Sequence, residues 1–151
     1  MAEILVDGWR WAYVGIISDD ELAALDVTAR MRRLEQLFDP SLLYVAAVDE
    51  NDIPIGFAIE TRPPQLPGYD CEIGGLYVDP SQTRSGVGRA LVEQMVQAFR
   101  ARGAKTMAIH TLQQNEIGRA FYQRIGGTLV HEDQWRNYPA VWYGWPDIGQ
   151  F

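Results

Sequence analysis

Apolar and polar positions recur along the chain with two periods, and the points where the period changes divide it into elements. Val27, Met31, Leu34 and Phe38 fall on one face of a helix, and the run stops before Pro40. Just upstream, "DDELAALDV" reads as a brief helix with Ser18 or Asp19 as its N-cap. "SLLYVAAVDE" and "IPIGFAIET" are strand-like runs joined at the turn residues "DENDIP", which predicts a hairpin. "RPPQLPGYD" holds three prolines, each lacking a donor, so it is read as an exposed loop. "CEIGGLYVD" is the next strand, ended by Pro80.

The period then returns to 3.6. Val87, Leu91, Met95 and Ala98 share one helix face, Arg89, Glu93, Gln97 and Arg100 another, and Gly103 closes the helix in the C′ position. "KTMAIHT" is a strand, "IGRAFYQRI" a short helix stopped at Gly126, and "TLVHEDQW" and "AVWYGW" are two final strands. Helices, three strands, helix, strand, helix and two strands make an α/β domain whose sheet is mostly antiparallel with at least one parallel crossover. With no repeat, low-complexity tract or charge block in 151 residues, a single domain over 1–151 is expected.

Composition narrows the function. A net charge of −7 argues against a nonspecific grip on nucleic acid and suits a cationic substrate such as an amine. Cys71 is the only cysteine, so no internal disulfide forms, and it reads as a small buried residue rather than a nucleophile. The start "MAEILVDGWRW" carries acids where a signal peptide is basic, and "LLYVAAV" is far short of the ~20 residues of a spanning helix. A soluble, cytoplasmic protein without membrane association is the expectation.

The candidate chemistry lies in "YVDPSQTRSGVGRALVEQ", residues 77 to 94, where an apolar strand runs through a polar, glycine-rich turn into a helix. Such a turn is either a plain connection or a row of bare N–H groups at a helix start, where the aligned peptides carry about half a positive charge. Gly86 and Gly88 lack Cβ atoms, so an anionic oxygen can approach the backbone of residues 84 to 89 closely. The dinucleotide fingerprint fails because Leu91 stands at its third glycine, and a P-loop fails for want of a nearby lysine.

About thirty residues on, "NEIGRAFYQRIGG" sets an Asn at a strand end, a Phe121-Tyr122 pair on a short helix and a Gly stop. Together with the V-x-P-x-x-[RQ]-x-x-G-x-G-like turn, this resembles the GNAT superfamily of acyl-CoA-dependent N-acyltransferases, most closely over residues 72 to 127. Thr83 stands where that family usually has Arg or Gln, with Gln82 and Arg84 on either side. The resemblance implies a twisted sheet of about six to seven strands flanked by about four helices, with a V-shaped splay between the fourth and fifth strands. It also implies acetyl-CoA as cosubstrate and a small-molecule or peptide amine as acceptor, with no metal; a homodimer through the final strand is a common arrangement among similar proteins.

By the same resemblance, the backbone of Leu76, Tyr77 and Val78 pairs with the pantetheine arm. The amides of Arg84, Ser85, Gly86, Val87, Gly88 and Arg89 cradle the pyrophosphate, and Asn115 orients the arm from the other side. Tyr122 stands at the general-acid position, where a phenol can protonate or hydrogen-bond the departing sulfur. Glu72 stands at the spacing of the base glutamate in the histone-acetylating branch. The family's bulge is expected at Gly74-Gly75.

A base is needed because an alkylamine of pKa ~10.4 is neutral only about once in 2,500 at pH 7, a cost of ~4.6 kcal/mol. If no bulge intervenes, alternation puts Glu72, Gly74, Leu76 and Val78 on one face. His110 ends the facing strand and could relay protons; His131 has no such placement. Of the crowded terminal aromatics, including Trp9, Tyr13 and Trp135, one or two are expected to touch the acceptor. The implied activity is direct transfer of acetyl to a primary amine in a ternary complex. The competing readings are a CoA-binding sensor that has lost turnover and a nucleotide-binding α/β domain.

Overall fold

Glycine and capping residues set the element boundaries in the structure, a computed structural model that describes residues 1–151. Three helices come first: α1 (Ala2–Ala12), α2 (Asp19–Ala23) and α3 (Val27–Leu37). The hairpin strands β1 (Tyr44–Val48) and β2 (Pro54–Thr61) and then β3 (Cys71–Val78) follow. A 3-10 turn at Pro80–Gln82 leads into α4 (Val87–Ala101), then β4 (Met107–Leu112), α5 (Glu116–Arg124), β5 (Thr128–Trp135) and β6 (Tyr138–Trp145). Ser18 caps α2 by accepting from Glu21 N, Asp26 caps α3 by accepting from Ala29 N, and Gly103 and Gly126 take up positive φ just past α4 and α5.

The six strands form one sheet in the order β1-β2-β3-β4-β6-β5. Only β3 and β4 run parallel, and they pair at just Cys71–Met107, Glu72–Ala108 and Ile73–Ile109. Beyond Ile73, β3 continues against β2 alone and β4 continues against β6 alone. The sheet therefore splits, and the two strands leave an open wedge. The split lies between the third and fourth strands rather than the fourth and fifth, because the chain begins with helices and no strand precedes the hairpin. Five helices flank the sheet instead of about four.

The extra helix is α1, which the sequence pattern did not reveal. Met1 offers no side-chain cap and Gly8 sits mid-helix, so local signals are weak. Burial holds it instead: Ile4, Leu5 and Val6 pack on Phe57 of β2. On the other side of the sheet, Leu91, Val92, Met95, Val96 and Phe99 of α4 pack against Ala58, Cys71, Ile73 and Ile109 in the main core. The periodic face of α3 is real but largely uncovered: none of its residues is buried, and Met31 is 47% exposed. No helix is long and apolar enough to cross a membrane.

Pairing between β2 and β3 slips by one residue, Ile59 facing Gly75 but Glu60 facing Ile73, so Gly74 is the extra residue of a bulge. A Cβ on Gly74 would stand 1.7 Å from Thr61 Oγ1, which is why only glycine fits. The bulge reverses the parity of the strand. Cys71 and Ile73 before it and Leu76 and Val78 after it all face the α4 core, whereas Tyr77 packs with α1. The expectation that Glu72 shares a face with Leu76 and Val78 is therefore overturned: Glu72 lies on the Tyr77 side.

Candidate active site

The turn before α4 is built from short local hydrogen bonds that leave its far end bare. Asp79 accepts from Ser81 N and Oγ, Thr83 Oγ1 donates to Pro80 O, and Ser85 N and Oγ both donate to Gln82 O. Thr83 thus spends its side chain closing the 3-10 turn. Arg84 (φ 64°) and Gly86 (φ 91°) in the left-handed region then reverse the chain into the helix. The amides of Arg84, Gly86, Val87, Gly88 and Arg89 donate to nothing in the protein. Ser85 is the exception in the predicted set, its amide already committed to Gln82. The Arg89 side chain also turns away, paired with Glu93 at 2.7 Å. What remains is a run of unpaired donors at the positive end of a 15-residue helix.

The wedge begins beside this turn. Asp79 N donates to Ile55 O, and Tyr77 O faces Gly56 closely enough to lie 3.0 Å from any Cβ there. Residues 77 and 79 thus direct their backbone to β2, and Leu76 and Val78 direct theirs into the gap. Gly88 abuts Phe121, whose ring a Cβ there would meet at 3.4 Å, so the helix start packs close to α5.

Tyr122 on α5 is buried, and its hydroxyl has no hydrogen-bond partner in the protein. Burial, with the hydroxyls of Tyr13 and Tyr77 facing it, pushes its pKa well above the ordinary phenol value, so the proton is firmly held. Tyr13 itself is pushed up to about 12, by burial first and by Tyr77 second, with the polar side chains of Thr111 and Asn115 working against the shift. Tyr13, just past α1, and Tyr77 of β3 are thus the phenols near enough to act on the charge of Tyr122. The sequence reading singled out Tyr122 alone. Tyr13 and the Tyr77 side chain lie far from it in sequence and belong to no common spacing.

Asn115 starts the helix that carries Tyr122. It is the N-cap of α5, Oδ1 accepting from Gly118 N and Nδ2 donating to Thr111 Oγ1, each at 3.0 Å. The first bond caps the helix, the second ties its start to the end of β4, and one Nδ2 hydrogen stays unused. Gly118 is required there, since a Cβ would lie 2.6 Å from Asn115 Nδ2.

Glu72 is 1% exposed, at the last stretch of paired sheet before the split. Its Oε2 accepts from Gln65 N of the proline-rich loop at 2.6 Å, and Oε1 accepts nothing. Burial raises its pKa against the opposing effect of that one hydrogen bond. On the same face, two residues past the Glu72 partner Ala108, His110 stacks on Trp142 with 4.4 Å between ring centroids. Asp133 joins both, at 2.9 Å from His110 Nε2 and 2.8 Å from Trp142 Nε1. Cys71 is excluded from nucleophilic work: burial, with Glu60 and Asp70 nearby, pushes its thiol up to about 11.

A sheet split between two parallel strands, with a run of free amides at the helix start beside the split, is the layout of an acyltransferase. The chain belongs to the acetyltransferase (GNAT) family, which it matches over residues 6–127. It is 30% identical over 158 positions to the uncharacterized N-acetyltransferase YuaI of Bacillus subtilis (strain 168), covering 98% of this chain and 87% of the relative. The crystal structure of the PaiA N-acetyltransferase from Thermoplasma acidophilum in complex with coenzyme A shares the fold with a TM-score of 0.72. It is 19% identical, with 95% of this chain and 90% of that one covered. An aminoglycoside 6'-N-acetyltransferase crystallised with coenzyme A superimposes with a TM-score of 0.68 at 22% identity, over 97% of this chain and 90% of that one.

Proposed function

We propose that the protein transfers the acetyl group of acetyl-CoA to a primary amine by direct attack within a ternary complex. The observation that carries this reading is the set of five uncommitted amides, Arg84 and Gly86 to Arg89, next to the open edge of β3. Any helix start leaves its first amides free; here the left-handed Arg84 and Gly86 add two more to the three of Val87, Gly88 and Arg89, a longer run that suits a diphosphate. Acetyl-CoA bound there supplies a thioester as the acyl donor. Leu76 and Val78 offer the backbone groups along which its arm can lie.

The remaining roles follow from charge and burial. Glu72 takes the amine proton, directly or through water; its raised pKa brings it nearer to neutrality, where a general base works best. The amine nitrogen then forms its bond to the acetyl carbon as the carbon–sulfur bond breaks. Tyr122 gives its proton to the departing sulfur and is reprotonated through solvent by the second proton the nitrogen sheds as it becomes an amide, while the proton taken by Glu72 passes to solvent. Asn115 acts on this chemistry through α5, by fixing where Tyr122 stands. Holding both reactants in register supplies on the order of 7–11 kcal/mol, so no acyl-enzyme is needed.

The test is free thiol released from acetyl-CoA across a panel of amines, alongside calorimetric binding of CoA. Amine-dependent release with a ternary kinetic pattern is the expected result. Tight CoA binding with no release for any amine would instead establish a sensor.

A further inference from the structure

Resting on the acetyl-transfer reading, we propose that the acceptor is an elongated amine with an anionic group at its far end, held by Arg30 and Arg136. A pocket of about 220 Å³ opens between the N-terminal helices and the β5–β6 hairpin. Its walls are Trp9 and Trp135, edge-to-face at 5.4 Å, its floor includes Leu25, and its rim carries Glu21, Arg30 and Arg136. The Arg30 guanidinium lies over the Trp9 ring at 5.4 Å and that of Arg136 over Trp135 at 4.5 Å. Stacking on an indole fixes a guanidinium's plane while leaving its N–H fork free for an oxyanion.

The charge balance of this pocket is opposite to that of the whole chain. Arg30 belongs to none of the protein's ion pairs. Arg136 reaches Glu21 only at 4.0 Å. Glu21, the sole carboxylate of the rim, is already engaged by the Tyr138 hydroxyl and by Ser18 Oγ. Both of those bonds fall on Oε2, and Oε1 faces Arg136 at 4.0 Å, so one carboxylate stands against two guanidiniums and the rim carries a net positive charge. The net charge of −7 invites a polycation, but the pocket itself is built for an anion.

The pocket also leads to the reaction centre. Trp9 meets Tyr13 edge-to-face, 5.1 Å between ring centroids, and packs with the cluster around Ile17, Leu22 and Leu112, so the wall of the pocket continues to Tyr13. A chain lying along Trp9 therefore runs toward Tyr13, which requires an apolar body between the anionic and amino ends.

The experiment compares 6-aminohexanoate, hexylamine and 1,6-diaminohexane as acceptors at fixed acetyl-CoA, in wild type, Arg30→Gln and Arg136→Gln. Wild type should favour the amino acid in KM by about 10–100-fold, the scale of charge-assisted hydrogen bonds, and each variant should shrink that preference. Preference for the diamine, or a preference that both variants keep, overturns the proposal. Binding of the same compounds, read by tryptophan fluorescence, is independent of turnover. Selective binding of the amino acid without thiol release would keep this pocket assignment and sink acetyl transfer, and binding without selectivity would sink the assignment alone.

Discussion

Tyr122 shows how one side chain's environment fits it to one task. A buried phenol with no acceptor of its own stays protonated through the physiological range, which is the state the proposed general-acid role requires. Tyr122→Phe keeps the ring contacts with Phe121 and Tyr143 and removes only the proton. The maximal rate should fall about 10²-fold or more, within the range of general-acid contributions, while CoA affinity measured by calorimetry stays within about twofold. An unchanged rate would take Tyr122 out of the chemistry. Asn115→Ala works differently, by removing the cap: about 1 kcal/mol of stability should go, seen as a lower Tm, together with a rate loss from a loosened α5. Tyr122 was legible in the sequence because the Gly-Arg-Ala-Phe-Tyr run is local. The partners Tyr13 and Tyr77 were not, since only the fold brings α1 over β3.

At the scale of elements, the reading of the chain succeeded where periodicity and glycine punctuation speak together. The hairpin, α4 with its Gly103 stop and both final strands lie where the pattern put them. It failed at α1, which lacks a cap and depends on the sheet beneath it, and at the face of Glu72. A bulge at Gly74 was expected from the glycines, but its effect on alternation depends on which residue is the extra one, a matter decided by the approach of Thr61. The turn before α4 offers the sharpest test at this scale. Nothing lies within 4 Å of a Cβ built on Gly86, so Gly86→Asp meets only the mild left-handed strain that Asp tolerates. It sets a negative charge among the free amides. CoA binding should weaken more than about tenfold, with Tm lowered by no more than a few degrees; equal affinity would mean that the amides serve another purpose.

For the whole molecule, two buried carboxylates pull stability in opposite directions with pH. Glu60 is penalised by burial, but hydrogen bonds from Arg102, Arg62 and Leu43 N outweigh the penalty and lower its pKa. Its contribution is therefore present above the ordinary carboxylate pKa and drains away as pH falls through the depressed value. Glu72 has a raised pKa, so its contribution is complete below the ordinary value and is lost as pH climbs through the raised one. The first ties β2 to the end of α4 across the main core, and the second sits where the sheet divides. Glu60 is placed for holding the fold, whereas the ionised form of Glu72 that the proposed reaction requires comes at a cost in stability. Thermal melts from pH 3 to 8 separate them. Glu60→Gln should lower Tm most near neutrality and converge on wild type in acid, whereas Glu72→Gln should match wild type in acid and exceed it near neutrality. The same Glu72→Gln protein should lose acetyl transfer while gaining heat resistance, and a variant that kept full activity would show that the proton leaves the amine by another route.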